Sequence, residues 1–85
     1  MYVLSLHIWL KGVDRPVSVT IDENKSGERF SSRQEAEEFR TNMLDNMRAA
    51  ILARSNTNNV VYQPIDSLII NVNEVSCVYI DIKNR

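Results

Sequence analysis

His7 and Cys77 are the one pair of side chains in this 85-residue sequence that resembles a general base and a nucleophile. In such a pair the imidazole takes the thiol proton, and the thiolate then attacks an electrophilic carbon. Both side chains lie on the same sheet face if their strands are neighbours. However, the sequence shows no recognisable oxyanion hole, and apolar residues surround both positions. We therefore interpret Cys77 as a packed thiol and His7 as a hydrogen-bonded imidazole, with a small Cys77/His7 enzyme as the alternative.

A second chemistry is suggested by the aromatic residues, since a sheet can stack nucleobases on Tyr2, Trp9, Tyr62 and Tyr79. Such platforms also carry clustered basic side chains that neutralise phosphates. This sequence has 10 basic and 11 acidic residues, and its formal net charge is −1. Local basic clusters occur only in segments 11–15 and 83–85. We therefore interpret the aromatic residues as interface or core residues, and single-stranded nucleic-acid binding is a second alternative.

Metal, cofactor and small-molecule sites leave no signature in the sequence. One cysteine cannot form an intramolecular disulfide, and no Cys/His cluster has metal-ligand spacing. The acidic loop 22–29 lacks the alternating oxygen ligands and the distal Glu of a calcium loop. With only two glycines, a Gly-rich phosphate loop is absent as well. We predict no metal, no cofactor and no identifiable small-molecule ligand.

Composition indicates one small folded domain over residues 1–85, because 44% hydrophobic and 25% charged residues are typical of globular chains. Without disulfides the domain depends on its apolar core, which suits a reducing compartment. Residues 1–10 are apolar but lack a basic start and a cleavage site, and they are too short to span a bilayer. We therefore expect a cytoplasmic protein with no signal peptide and no membrane contact.

Two strands open the chain. Residues 2–10 alternate with a period of two, and residues 17–22 alternate between an apolar and a polar face. Between them, Gly12 and Pro16 are turn residues, so the two strands are predicted to form a hairpin.

A long helix follows. Ser32 and Glu35 fit a capping box, although Ser31 and Gln34 fit almost as well. From Arg33 to about Arg54 there is no Gly or Pro. The apolar residues of this segment recur at three- and four-residue steps, which predicts one buried stripe: Ala36, Phe39, Met43, Met47, Ala50 and Ile51.

The last third of the chain predicts two further strands. The Asn-rich segment 55–59 ends the helix, and residues 60–62 suggest a short edge strand that Pro64 interrupts. Residues 68–72 and 75–82 are β-rich runs on either side of Asn73-Glu74, which we interpret as a tight hairpin turn. In the last run, alternation places Val75, Cys77 and Tyr79 on one face and the remaining apolar residues on the other.

The predicted fold is therefore an α+β, ββαββ domain with one helix packed on one face of a four-stranded mixed sheet. The first and last strands are apolar on both faces and belong in the centre, whereas the half-polar second strand belongs at an edge. This reasoning gives the strand order 2-1-4-3, with the first and last strands parallel.

One helix covers one sheet face, which leaves the other face for a partner. The helix side is predicted to hold Leu4, Leu6, Ile8, Leu10, Val78, Ile80 and Ile82. The opposite face is predicted to hold an apolar interface made of Val3, His7, Trp9, Ile70, Val72, Cys77 and Tyr79. A contiguous apolar patch usually marks an interaction surface, and a second copy is its simplest occupant. We predict a non-enzymatic binding or regulatory module that forms a homodimer, or binds another protein, through its sheet.

Overall fold

The computed structural model describes residues 1–53, 61–65 and 68–85. These parts of the chain contain five strands, one α-helix and one turn of 3-10 helix. The elements run in the order β1 (Tyr2–Leu10), β2 (Val17–Ile21), α1 (Arg33–Ala53), β3 (Val61–Ile65), β4 (Leu68–Asn71), a 3-10 helix (Val72–Glu74) and β5 (Val75–Asn84). The α+β class with one long helix is confirmed. The Asn-rich segment 55–59 lies outside the described residues.

The main sheet has three strands in the order β2-β1-β5. The predicted β1–β2 hairpin is confirmed, with Leu4 opposite Ile21 and Ile8 opposite Val17. In the loop between them, Gly12 has a φ of 75°, which side chains with a Cβ adopt rarely. The long strand β1 is central, as predicted, because both of its faces carry apolar residues.

The last strand, β5, pairs with β1 in the antiparallel direction, so the predicted parallel pairing is wrong. The reason is the number of chain reversals after the helix. The segment 61–65 forms a full strand that pairs with β4, and this adds one reversal that the sequence pattern did not reveal. The pairing of β3 changes register between Tyr62 and Ile65, on either side of Pro64, whose nitrogen cannot donate to a ladder.

Strands β3 and β4 form a separate two-stranded sheet, and the predicted four-stranded order is not confirmed. The predicted tight turn at Asn73-Glu74 is instead part of the 3-10 helix. The Asn71 side chain caps this helix by accepting a hydrogen bond from the Asn73 N–H at 3.0 Å. The chain therefore passes from β4 into β5 through a capped turn, and β4 stays with β3.

The start of α1 confirms Ser32 as the capping residue. The Glu35 N–H donates to the Ser32 Oγ at 3.2 Å. The return bond goes one residue further back, because the Glu35 carboxylate accepts from the Ser31 N–H at 3.1 Å and from its hydroxyl. These bonds satisfy backbone donors that the first helical turn leaves unpaired.

The core lies between α1 and one face of the three-stranded sheet. Leu4, Leu6 and Ile8 are completely buried and pack in one cluster with the helix residues Ala36, Met43 and Met47. Phe30 closes one end with an edge-to-face contact to Phe39, at 5.1 Å between ring centroids. The helix side of β1 is therefore as predicted, and its other face lies outside this core.

Candidate interaction surface

The sheet face away from α1, which we call the open face, follows from the register of the three strands. Residues directly opposite each other in a ladder share a face. His7 of β1 is opposite Ser18 of β2 and Tyr79 of β5, and Trp9 is opposite Cys77. The same register defines the full set of open-face residues: Val3, Ser5, His7, Trp9, Ser18, Thr20, Cys77, Tyr79, Asp81 and Lys83.

Three rings, those of His7, Trp9 and Tyr79, form what we call the aromatic cluster on this face. The His7 ring stacks on Tyr79 with 6.1 Å between centroids and 22° between planes. It also lies 6.1 Å from the Trp9 ring at 47°. Tyr79 is 54% exposed. His7 and Trp9 are half-buried. A partly exposed group of aromatic rings on a sheet is typical of a binding surface.

The orientation of His7 is set by β2. Its Nδ1 lies 2.8 Å from the Ser18 Oγ, within hydrogen-bond distance. This bond holds the imidazole between a polar strand on one side and the Tyr79 ring on the other. Ser18 is a site residue that sequence reasoning missed. The signal was its position in the polar face of the second strand, which becomes informative only when the register is known.

Cys77 reaches the open face because of a β-bulge at Ser76. Trp9 pairs with Cys77 and Leu10 pairs with Val75, so Ser76 has no opposite residue. The Ser76 hydroxyl donates to the Trp9 carbonyl at 3.1 Å, and this hydrogen bond stabilises the bulge. Val75 therefore lies in the core, and its predicted position on the same face as Cys77 is wrong.

The structure brings together four of the predicted interface residues: His7, Trp9, Cys77 and Tyr79. Val3 shares their face but lies beside Lys83, away from the aromatic cluster, and is only 5% exposed. The predicted positions of Ile70 and Val72 on this face are wrong, since both are buried. The reason is that β4 left the main sheet, so Ile70 packs into the helix-side core.

His7 and Cys77 share the open face but are not opposite each other. His7 is opposite Tyr79, and Cys77 is opposite Trp9, so His7 and Cys77 are diagonal neighbours on this face. Among the described residues, the His7 ring hydrogen-bonds to Ser18, which is not a carboxylate that would orient a catalytic base. In the described ranges, no group of three or more His, Cys, Asp or Glu side chains could hold a metal ion.

The four aromatic residues considered for nucleobase stacking do not form one platform. Tyr2 lies on the helix side, where it packs against the core. Tyr62 pairs with Ile70 in the β3–β4 sheet, which is separate from the sheet that carries Trp9 and Tyr79. Lys83 is the one basic residue among the open-face residues, and Asp81 lies on the same strand and face. The charge needed to bind phosphates is therefore weak on this face.

Among the described residues, a groove lies along each flank of α1. A cleft of about 370 Å³ separates Asn42 and Asn46 from Gln63 of β3. On the other flank, a groove of about 330 Å³ lies between α1 and the first half of β5, lined by Leu44, Ile51 and Val78 among others. The second groove is apolar apart from the Arg48 side chain and the residues around the bulge.

None of the helices in the described parts of the chain is long and apolar enough to cross a membrane. No protein-family model, curated protein sequence or solved structure matches this chain.

Proposed function

We propose that this chain is a non-enzymatic binding module that self-associates through the open face of its three-stranded sheet. The observation that carries this proposal is the aromatic cluster of His7, Trp9 and Tyr79 on a face that α1 does not cover. The partner is a second copy. A two-fold axis through this face would bring the same rings of two chains together, as isologous interfaces require.

Aromatic anchors account for the expected strength of this contact. Truncating a buried aromatic residue at the centre of an interface costs about 2 kcal/mol or more. Here Trp9 is half-buried and Tyr79 is 54% exposed, so both have surface left to bury. Ser18 and Thr20 provide exposed hydroxyls at the rim of the same face.

The size of the open face sets the affinity class. Nine residues along β1 and three strands across give at most a footprint of roughly 30 by 14 Å, within which Val3 and Ser5 are already buried. That footprint is smaller than the roughly 800 Å² per partner of a standard interface. We therefore expect a weak, concentration-dependent association, in the class of transient complexes and not of obligate dimers.

Binding is favoured over catalysis by the same geometry. His7 is hydrogen-bonded to Ser18 and stacked on Tyr79, and Cys77 is diagonal to it.

We also propose a cytoplasmic location, because the exposed thiol of Cys77 is retained in its reduced form in a reducing compartment.

Sedimentation velocity from about 1 to about 100 µM tests the face contact, since weak interfaces dissociate in this range. We expect Trp9→Glu to halve the mass of the assembly, because it places a carboxylate in the aromatic cluster. Val13→Glu is the matched control, since Val13 is 52% exposed in the loop between β1 and β2. A wild type that is monomeric throughout, or a Trp9→Glu variant that associates like Val13→Glu, would contradict the proposal.

A further inference from the structure

Strand β5 is an edge of the main sheet, and the phase of its hydrogen bonds shows which backbone groups point outward. The Met1 amino group donates to the Arg85 carbonyl at 2.9 Å, and the Arg85 N–H donates to the Met1 carbonyl at 2.7 Å. Hydrogen-bonded and non-hydrogen-bonded pairs alternate along an antiparallel ladder. The odd-numbered residues of β5, such as Tyr79 and Asp81, therefore bond to β1.

The N–H and C=O groups of the intervening residues Val78, Ile80 and Ile82 point away from β1, to the outer side of the sheet. Within the described ranges, the outer side of β5 has no paired strand. The bond from the Tyr2 N–H to the Phe30 carbonyl supports this phase, because it shows that even-numbered residues of β1 bond away from β5. A row of unpaired backbone groups is a template for another strand.

This edge has little of the usual protection against strand pairing. Natural edge strands are short, contain proline or a bulge, or carry charged side chains, and β5 carries its charges, Asp81 and Lys83, on the open face alone. Strand β5 has ten residues and no proline, and its bulge lies at its beginning. Its helix-facing residues Val78, Ile80 and Ile82 are all apolar. The opposite edge, β2, has only five residues and directly follows Pro16.

We propose that β5 pairs in the antiparallel direction with β5 of a second copy. Two identical strands that pair in this way are related by a two-fold axis, so the contact closes on itself. The two three-stranded sheets then merge into one sheet of six strands. The outward groups of Val78, Ile80 and Ile82 supply about six hydrogen bonds across the junction.

Charge and length select the register, with the axis at Ile80. Tyr79 is then opposite Asp81 of the second copy, and Cys77 is opposite its Lys83. The pairing extends from Ser76 to Asn84, which is the whole strand beyond the bulge. Moving the axis to Asp81 would place two carboxylates directly opposite each other, which is destabilising. Moving it to Tyr79 would leave the end of β5 unpaired.

The groove beside β5 supports the same contact. Leu44 and Ile51 line this groove together with Val78 of β5, so they lie on the flank of α1 nearest to β5. Asn42 and Asn46 lie on the other flank. Both are only half-buried. Pairing at this edge brings the corresponding flanks of two helices over one continuous sheet, where their apolar side chains cover the groove.

This edge contact does not depend on the open-face contact, because it uses backbone groups at the strand border and not the aromatic cluster. When both contacts form, two six-stranded sheets stack through their open faces and four chains assemble. The variant Trp9→Glu removes the face contact alone and leaves a dimer joined at β5. Failure of one proposal is therefore visible without failure of the other.

Amide hydrogen exchange of the Trp9→Glu variant, followed by NMR, tests the edge directly. We expect the amides of Val78, Ile80 and Ile82 to be protected at high concentration to the same degree as those of Tyr79 and Asp81. On dilution, protection of the first group should fall at least tenfold while the second group keeps its protection. Fast exchange of the first group at all concentrations, with the second group protected, would overturn the proposal.

A proline variant gives an independent measurement in the same background. Val78→Pro removes an outward N–H that the ladder to β1 does not use, and edge strands tolerate proline in such positions. We expect it to convert the Trp9→Glu dimer to a monomer, whereas Val78→Thr, which keeps the N–H and the shape, should remain a dimer. A proline variant that dimerises like Val78→Thr would count against the edge contact. If it unfolds, the exchange measurement alone decides.

Discussion

Val75 and Cys77 are two residues apart in one strand, yet they face opposite sides of the sheet. Val75 is 4% exposed and packs in the core, whereas Cys77 is exposed beside Trp9 on the open face. Ser76 separates them as a bulge and donates its hydroxyl to the Trp9 carbonyl. One extra residue therefore decides both the core and the composition of the candidate interface.

Deleting Ser76 should be tolerated, because the strand then alternates regularly with Val75 inside and Cys77 outside. We expect a loss of less than about 2 kcal/mol in the free energy of unfolding, from the lost hydroxyl bond and local adjustment. Deleting Ile82 is the comparison, since absorbing this deletion at the bulge turns residues 77–81 to the wrong face. That variant should lose more than about 4 kcal/mol or fail to fold. Equal losses in urea unfolding would contradict the assigned bulge.

The reactivity of Cys77 should report on the open-face contact. Its thiol is exposed in the single chain and lies opposite Trp9. We expect a maleimide reagent to label the Trp9→Glu variant at a rate that depends less on protein concentration than the rate of the wild type does. Wild-type protein should be labelled more slowly as its concentration rises, with Val13→Glu behaving like wild type. Concentration-independent labelling of all three proteins would be incompatible with the face contact.

The helix cap should matter more than the neighbouring surface ion pair. Ser32→Ala removes the acceptor of the Glu35 N–H, and we expect a loss of about 1 kcal/mol in the free energy of unfolding. Glu37→Ala breaks the 3.0 Å ion pair with Arg33. The side chains of Arg33 and Glu37 are 57% and 46% exposed, so we expect a loss of at most about 0.5 kcal/mol in the free energy of unfolding. Thermal or urea unfolding of both variants measures the order. The reverse order would show that the cap is misassigned.

Nucleic-acid binding should be absent at physiological salt. The open face carries Lys83 and Asp81 on one strand, so few phosphates would be neutralised there. Fluorescence anisotropy with a labelled single-stranded DNA and a labelled single-stranded RNA, at two salt concentrations, measures this. Micromolar binding that weakens steeply with salt, and that Tyr79→Ala reduces, would instead support an aromatic nucleic-acid platform.

Local patterns in the sequence determined the β1–β2 hairpin and the long helix. The alternation of residues 2–10, the turn at Gly12 and the cap at Ser32 each act over a few neighbouring residues. The same local alternation predicted that Leu4, Leu6 and Ile8 face the helix. His7, Trp9 and Tyr79 were also correctly predicted to share the other face, since they keep the period of two within regular stretches.

Only the tertiary structure decided the direction of β5 and the place of β4. Whether β5 runs parallel or antiparallel to β1 depends on how many times the chain reverses between them, and the strand over Pro64 added one reversal. The bulge at Ser76 then moved Val75 into the core, and the separation of β4 moved Ile70 there as well. Pairing partners and bulges are settled by contacts between distant segments, whereas a period of two or of 3.6 residues is a property of each segment alone.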